Sequence, residues 1–192
     1  MLRVAILLGA LAIPFAASAQ DGGHSPYAGM ETREIKSLSE TDIEELRRGG
    51  GWGLALSAEL NGVPGPAHLL ALRDEIGLSG EQVTAIEAIF EEMQAEARRL
   101  GEQLIDVEMG IEHAFRHGDL DDDTLHALIG KAEAVRAELR FVHLSRHLST
   151  PPLLTEDQIA TYNRLRGYGS DPCAQVPEGH DPRMWRRHNN CD

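Results

Sequence analysis

Apolar residues recur through residues 83–114 in uninterrupted steps of three and four. This heptad spacing is typical of a helix that packs along its whole length against another helix. A helix over residues 79–117 would be about 58 Å long at 1.5 Å per residue, too long for one small domain to cover on all sides. The pattern therefore predicts a paired helix. Its apolar positions are Val83, Ile86, Phe90, Met93, Ala97, Leu100, Leu104, Val107, Ile111 and Ala114.

The same spacing returns after a short polar connection over residues 118–123. Aspartates in this connection suit the N-terminus of the following helix, where backbone N–H groups favour negative charge. Pro151 and Pro152 end that helix, because proline has no N–H and clashes with the preceding turn. A short connection makes the two helices antiparallel neighbours, so the sequence predicts a long helical hairpin. The apolar positions of the second helix are Leu125, Leu128, Ala132, Val135, Leu139 and Val142.

Shorter helical patterns flank the hairpin, each bounded by a capping residue, a glycine or a proline. They are a helix between a cap at Ser39 or Thr41 and the glycines 49–51, a pattern over 52–60, a helix from Pro66 to Ile76, and a last helix over 156–166. Residues 20–38 are polar, show no period and are expected to be irregular and mobile. No segment has the alternating pattern of a strand, so the predicted fold class is all-α.

Two five-residue segments are nearly the same. Residues 78–82 read Leu-Ser-Gly-Glu-Gln, and residues 154–158 read Leu-Thr-Glu-Asp-Gln. Each matches a capping box, in which the Ser or Thr oxygen accepts from an early backbone N–H and the residue three positions later bonds back to the cap. One box marks only the start of a helix. Two boxes with a leading leucine, one on either side of a long hairpin, form a more specific pattern.

The N-terminus has the pattern of a signal peptide over residues 1–19. Arg3 precedes an apolar run over residues 4–15, and Ala-Ser-Ala at 17–19 matches a cleavage site. The apolar run is too short for a stable membrane span, and no second stretch is long enough. We therefore expect an exported mature chain that begins at Gln20 and is not embedded in a membrane.

The net charge bears on whether the protein binds nucleic acid, and the cysteine content bears on whether it contains a disulfide. The net charge of −13 at pH 7 argues against a nucleic-acid partner, because phosphate binding needs a basic face. The chain has two cysteines, Cys173 and Cys191. In an exported protein they are expected to form a disulfide that closes the C-terminal tail. A thiolate metal site that includes His180 or His188 is the alternative.

An exported all-α chain with a long hairpin between two Leu-Ser/Thr-x-x-Gln segments resembles the Spy/CpxP-like periplasmic family. That family includes ATP-independent chaperones, inhibitors in stress responses and periplasmic heavy-metal sensors. The resemblance covers residues 66–167, and it implies a periplasmic location and an antiparallel homodimer of hairpins with a curved face. Outside it lie an N-terminal extension over residues 20–65 and a tail over residues 168–192.

The histidines include a pair, His143 and His147, four residues apart on one face of the second long helix. This spacing lets two imidazoles share one metal ion. When the two helices are aligned from the turn, the pair lies on the flank that also carries Glu87 and Glu91. His68 lies on the preceding helix, which folds back just before the first capping box. We expect four of these groups to converge near the open end of the hairpin: His68, Glu87, His143 and His147.

Imidazole and carboxylate ligands suit Zn, Ni, Co or Cu ions. The resemblance to the nickel–cobalt sensors implies the same ligand set. Those proteins use a His before the first motif, a Glu early in the long helix and a His-x-x-x-Met pair late in the return helix. His147 stands where that pattern has Met, and Pro64 stands where it has a second upstream His. We therefore expect a rearranged site in a protein that binds or senses a divalent transition metal, in envelope stress or metal resistance. A membrane-bound regulator would be its partner.

Alternative ligands are present in the sequence. Glu91 lies one turn from Glu87, and His113 and His117 repeat the four-residue spacing near the tip of the hairpin. Paired histidines on an acidic helix are also typical of a solvated surface with no ligand. These interpretations stay open at the level of sequence.

The alternative function is an ATP-independent holdase, which needs exposed apolar patches to hold unfolded client proteins. Five apolar residues lie off the heptad seam and would either line such a face or be buried against the short helices. They are Leu69, Leu72, Ile89, Ile105 and Phe141. The sequence has neither a Gly-x-Ser-x-Gly elbow nor a phosphate-binding glycine loop, and we expect no enzyme activity.

Overall fold

The structure, a computed structural model, describes residues 26–118, 120–168, 176, 179–188 and 191. The predicted signal peptide and Cys173 lie outside these residues. Cys191 is disulfide-bonded, and its pairing with Cys173 stays a prediction. No helix in the described ranges combines the length and the apolar character needed to cross a bilayer.

The chain divides into two compact units, Met1–Thr32 and Arg33–Asp192. The described part of the first unit holds one 3-10 turn, Met30–Thr32. The second unit is helical throughout its regular elements, and the described residues contain no strand, which confirms the all-α prediction. Its α-helices, in chain order, are α1 Glu40–Arg48, α2 Leu56–Glu59, α3 Pro66–Ala71, α4 Arg73–Ile76, α5 Gly80–His117, α6 Asp122–Ser149, α7 Glu156–Arg166 and α8 Pro182–His188.

The predicted hairpin is formed by α5 and α6, which pack against each other. Gly118 ends α5 in the left-handed region, with φ 75°. The Asp121 side chain caps α6 by accepting from the backbone N–H of Thr124 at 2.8 Å. The seam positions predicted from the heptad pattern supply most of the buried core between the helices: Met93, Ala97, Leu100, Leu104, Val107, Ala132, Leu139 and Val142.

The segment before α1 belongs to the same core. Ile35 is 1% exposed and Leu38 is 3% exposed, both inside the hairpin cluster. Residues 33–38 are irregular as expected, but their apolar side chains are packed. Two apolar residues three positions apart make no recognisable period, so the sequence does not predict this burial.

A close backbone approach joins α1 to α5. The last turn of α1 lies over Gly101, where a Cβ atom would collide with the carbonyl oxygen of Leu46. Gly49 then ends α1 with φ 70° and lies against the backbone of Gln94. Glycine at these positions lets the short helix lie directly on the long one.

The buried carboxylate of Glu108 on α5 bonds to Ser37, in the segment before α1, and to Arg136 on α6. Glu108 on α5 is 9% exposed. It accepts from Ser37 Oγ at 2.8 Å and from Arg136 Nη2 at 3.0 Å. The Arg136 guanidinium lies 5.0 Å from the centroid of the Trp52 ring, and Trp52 Nε1 donates to Asp42 Oδ1 at 2.8 Å. A buried charge that is paired and hydrogen-bonded avoids the cost of an isolated one.

Both Leu-Ser/Thr-x-x-Gln segments form complete capping boxes. Ser79 caps α5 and Thr155 caps α7, and in each box the glutamine oxygen accepts from the backbone N–H of the cap residue. The helix predicted over residues 66–76 is interrupted at Leu72, whose backbone leaves the helical region between α3 and α4. Gly77 ends α4 with φ 71°, as expected.

The two capping boxes are also bonded to each other. Gln82 Nε2 donates to the carbonyl of Leu153 at 2.7 Å, and Gln158 Nε2 donates to the carbonyl of Gly77 at 3.2 Å. The two amides bond reciprocally, with Nε2 of each 2.8 Å and 3.0 Å from Oε1 of the other. Each glutamine therefore caps its own helix and closes the open end of the hairpin against the other motif.

We expect Gln82→Ala and Gln158→Ala each to destabilise the protein by about 1–2 kcal/mol, because each removes part of a cap and a cross-link. The double variant should lose less than the sum, by about 0.5 kcal/mol or more, since the glutamines share bonds. Urea unfolding measures all three values. Gln103→Ala, on the exposed surface of α5, is the control. Strictly additive losses would mean that the two boxes act separately.

Candidate metal centre

Three of the predicted metal ligands line one cavity. His68 from α3 and the pair His143 and His147 from α6 border a space of about 250 Å³, together with Glu59 from α2. The side of the cavity formed by α5 carries Phe90, Met93 and Gln94. The structure therefore brings the three histidines together near the open end of the hairpin.

His147 is held in a defined orientation by the turn before α3. Its Nδ1 lies 2.8 Å from the carbonyl oxygen of Val63. A carbonyl only accepts, so Nδ1 carries a proton, and in the neutral ring Nε2 then keeps the lone pair. The ring packs over Gly65, where a Cβ atom would lie 2.5 Å from His147 Nε2. Glycine at this position makes room for the imidazole.

His143 is the most deeply buried of the three, at 3% exposed. Its Nε2 is buried and has no hydrogen-bond partner among the described residues. Burial lowers the pKa of His143, and the neighbouring His147 lowers it further. A neutral imidazole with an unpaired nitrogen is the state in which histidine binds a metal ion.

His68 is half-buried and paired. Its Nδ1 lies 3.0 Å from Glu59 Oε1. Burial is the main cause that lowers the pKa of His68, while the Glu59 charge opposes this effect. Glu59 is held in turn by Arg166, whose Nη2 lies 3.6 Å away, and by the Tyr168 hydroxyl, which donates to it at 3.5 Å.

The carboxylate that lines the cavity beside the histidines is Glu59, whereas the sequence predicts Glu87 as the carboxylate ligand. Glu87 and Glu91 are exposed on α5 and do not line the cavity. The residues of α5 that line the cavity with the His pair are Phe90, Met93 and Gln94, and Glu87 lies three residues before the first of them. The sequence offers no signal for Glu59, because its position depends on how the one-turn helix α2 folds across the hairpin.

The other predicted ligands lie elsewhere. His113 and His117 are exposed near the end of α5, with ring centroids 4.2 Å apart. His180 and His188 belong to the C-terminal segment around α8. Neither group lines the cavity at the open end of the hairpin.

The candidate ligands line one cavity, but their side chains are too far apart to coordinate a single ion as they stand. In the part of the chain that the structure describes, no three His, Cys, Asp or Glu side chains stand close enough together to hold an ion. An ion bound in the cavity would have to draw the imidazoles together by side-chain rotation. The unpaired Nε2 of His143 fits this requirement, and His68 contacts Glu59 through Nδ1, which leaves its Nε2 for an ion.

In the metal-free protein, we expect stability to fall as the pH drops below the ordinary histidine pKa of 6.5, because burial lowers the pKa of His143 in the fold. The unfolded chain then takes up a proton that the fold resists, so the loss runs from about pH 6.5 down to the lowered pKa. His143→Leu should flatten the slope by up to about 1.4 kcal/mol per pH unit.

Urea unfolding at several pH values, with a chelator present, measures this slope. His126→Leu is the control, because His126 is exposed on the same helix. An unchanged slope in His143→Leu would mean that the imidazole is protonated as easily in the fold as in the unfolded chain.

The chain matches no protein-family model, no curated protein sequence and no solved structure. The resemblance to the Spy/CpxP-like family therefore rests on the paired motifs and the hairpin, and stays a prediction.

Proposed function

We propose that the protein binds a divalent transition metal ion through His68, His143 and His147. The observation that carries the proposal is the buried His143, whose Nε2 has no partner among the described residues and which lines a cavity together with two further histidines. Buried polar nitrogens are rarely left unpaired, and each one needs an explanation. Three imidazoles favour Zn, Ni, Co or Cu over the harder cations.

The chain's own residues would prepare the ligands. The Val63 carbonyl accepts from Nδ1 of His147 and leaves Nε2 as the nitrogen that could bind an ion, which is the usual outer-shell arrangement of a metal-bound histidine. Burial keeps His143 neutral near pH 7. Glu59 is placed to serve as a fourth ligand or to accept a proton from His68. Bound metal would supply a positive charge and a rigid link between these groups.

An ion held this way would connect α3 to α6. The predicted signal peptide and the family resemblance support a periplasmic sensor of metal or envelope stress, in which metal would shift the population of one arrangement of α3. A membrane-bound regulator would read that shift. No catalytic step is assigned to the protein.

Calorimetric titration of the mature protein with Zn, Ni, Co and Cu ions tests the proposal. We expect sub-micromolar binding of one ion per chain, weakened about 100-fold or more in His143→Ala/His147→Ala, because two ligands are lost. His113→Ala/His117→Ala is the matched control, since it removes a pair with the same spacing from the exposed surface. Binding that is absent, or that only the control variant weakens, would exclude this site.

The identity of the carboxylate ligand has its own test. Glu59→Gln should weaken the binding of the preferred metal about ten-fold, whereas Glu87→Gln should leave it unchanged, because only Glu59 lines the cavity. If Glu87→Gln weakens binding and Glu59→Gln does not, the carboxylate ligand is Glu87, as predicted from the sequence.

The holdase alternative has less support. Of the five off-seam residues, Leu69 and Ile105 are buried, and only Phe141 is largely exposed, at 65%. Leu72 and Ile89 are half-buried. Suppression of client aggregation by the mature protein, measured with and without metal, separates this function from metal binding.

A further inference from the structure

The connection between α1 and α2 is rich in glycine. Residues 49–53 read Gly-Gly-Gly-Trp-Gly, and we call them the glycine strap. The first three glycines of the strap line the same cavity as His68, His143 and His147. This part of the wall of the candidate metal centre is therefore backbone without side chains.

The histidines of α6 are shielded from solvent by the walls of that cavity. His143 and His147 are both buried, so an ion needs an opening in a wall to reach them. The walls formed by α5 and α6 belong to the packed hairpin. The wall formed by α3 is anchored by the fully buried Leu69. These three walls are held by core packing.

The glycine strap is held far less firmly. Gly51 and Gly53 are exposed, and a Cβ atom at Gly51 would meet no other atom within 4 Å. The backbone N–H of Gly50 bonds to Glu45 in α1, but the next bond along the strap is local, from Leu54 N–H to the Gly51 carbonyl. Segments with few buried apolar contacts open at a low cost in free energy. The strap is therefore the wall of the cavity that opens most easily.

Trp52 is the one residue of the strap with a side chain, and its backbone is strained. Its φ of 43° is the only positive φ of a non-glycine residue in the described part of the chain. This conformation is unfavourable for a bulky residue and persists only where surrounding contacts hold it. Glycine would adopt it freely, so the presence of tryptophan indicates a role for the indole itself.

Two contacts hold the indole in place. Nε1 of Trp52 donates to Asp42 Oδ1 at 2.8 Å, and the Arg136 guanidinium lies 5.0 Å from the ring centroid, within the range of a cation–π contact. Both partners are fixed by further bonds. Asp42 accepts from the backbone N–H of Ser39 in the capping box of α1, and Arg136 is paired with Glu108. Trp52 therefore fastens the strap to α1 and α6.

The indole also lies beside one of the candidate ligands. A second cavity, of about 190 Å³, is lined by Trp52 and by Glu59 and His68. The two cavities share Gly51, Glu59 and His68 in their walls. Displacement of the strap at Gly51 would join the two cavities and open the candidate metal centre next to His68.

We propose that the glycine strap is the gate of the cavity lined by the three histidines, and that Trp52 holds this gate closed. As the route of a metal ion, the gate rests on the proposed function; as the cover of the histidines, it does not. Trp52 is a positioning residue, because it fixes the strap and is not a candidate ligand. An ion enters and leaves by the same opening, so loss of the indole speeds both steps and leaves the affinity nearly unchanged.

Chemical labelling of the metal-free protein tests the gate without any ion. Diethyl pyrocarbonate transfers an ethoxycarbonyl group to an unprotonated imidazole nitrogen, and peptide mass spectrometry gives the rate at each histidine. In Trp52→Gly, His143 and His147 should be labelled about ten-fold or more faster than in the wild type, because the two contacts of the indole are lost. Glycine accepts the φ of 43° without strain, so the variant keeps the fold. The exposed His113 and His117 are the internal reference, and their rates should stay the same.

Three further variants separate the gate from a general loss of stability. Gly51→Ala adds a Cβ atom in open space and keeps both contacts of the indole, so it should be labelled like the wild type. Gln82→Ala weakens the fold at a residue that lines neither cavity, and it should change the rate at His143 by less than about three-fold. Trp52→Phe keeps a ring beside Arg136 but loses the Nε1–H donor, and its rate should be intermediate.

Release of zinc tests the gate as the route of an ion. The zinc-loaded protein is mixed in a stopped-flow instrument with an excess of a chromogenic chelator, and calorimetry gives the dissociation constant for zinc. We expect Trp52→Gly to release zinc about ten-fold or more faster, with a dissociation constant changed by less than about three-fold. Loss of a ligand would weaken the affinity as well, so this difference between rate and affinity is specific to a gate.

Equal labelling of His143 in Trp52→Gly and in the wild type would overturn the gate. A rise of the same size in Gln82→Ala would also overturn it, because the histidines would then be reached by unfolding of the domain. If zinc binds and Trp52→Gly leaves its release unchanged, the gate is wrong although metal binding stands. If labelling rises as expected and the wild type binds no zinc, the gate stands and the proposed function fails.

Discussion

Gly101→Ala is expected to destabilise the protein by about 2–4 kcal/mol, although it adds a single methyl group to a helix. Alanine normally favours a helix over glycine. At residue 101, however, the new Cβ would collide with the backbone carbonyl of Leu46 in the last turn of α1. Backbone atoms cannot rotate away as a side chain can. The substitution would therefore force α1 off α5 and expose the apolar residues beneath it.

Gly110→Ala is the matched control, since Gly110 lies on the same helix. A Cβ atom there would lie 3.9 Å from Leu128 Cδ2, which is ordinary contact. We expect this substitution to stabilise the protein by about 0.5–1 kcal/mol through helix propensity alone. Urea unfolding of both variants measures the difference. If the two variants gain stability equally, α1 does not lie against α5 as the structure has it.

Leu69→Ala should cost about 3–4 kcal/mol. Leu69 on α3 is 0% exposed and packs in a cluster with Ile76, Ile86 and Tyr162 at the open end of the hairpin. Truncation removes buried apolar surface and leaves a cavity that the surrounding helices cannot fill. Leu69 directly follows His68, so the same cluster holds α3, and with it one wall of the candidate metal centre.

Leu60→Ala provides the comparison for Leu69→Ala. Leu60 is 62% exposed, and its truncation should change stability by less than about 0.5 kcal/mol. Urea unfolding again gives both values. A cost for Leu69→Ala as small as that for Leu60→Ala would mean that α3 is not packed on the hairpin, and the cavity shared by the histidines would then have no wall on that side.

The hairpin was predictable because its signals are repeated and local. The heptad positions continue for many turns, and those near the middle of α5, such as Met93, Leu100 and Leu104, are buried as expected. The seam did not predict the burial of Gly101 and Glu108, which lie on one flank of α5. Residues 33–48 cover that flank. The sequence of this segment does not indicate that it packs against α5.

The three histidines of the candidate metal centre were predictable from the sequence, but its carboxylate was not. His143 and His147 share a helix face, which their spacing alone requires. The approach of His68 followed from the fold-back before the first capping box. The contribution of Glu59, in contrast, depends on a single turn of helix placed by contacts with residues far along the chain, among them Arg166 and Tyr168.

The sequence by itself determined where α1, α5, α6 and α7 start and stop and which faces of α5 and α6 meet. Capping, glycine and heptad rules act over a few residues, so they can be recognised without knowing the fold. Only the tertiary structure decided that residues 33–48 lie on α5, that Glu59 reaches His68 and that Gln82 bonds to Gln158. These contacts join residues distant in sequence, and their energy comes from packing and hydrogen bonds that exist only once the chain has folded.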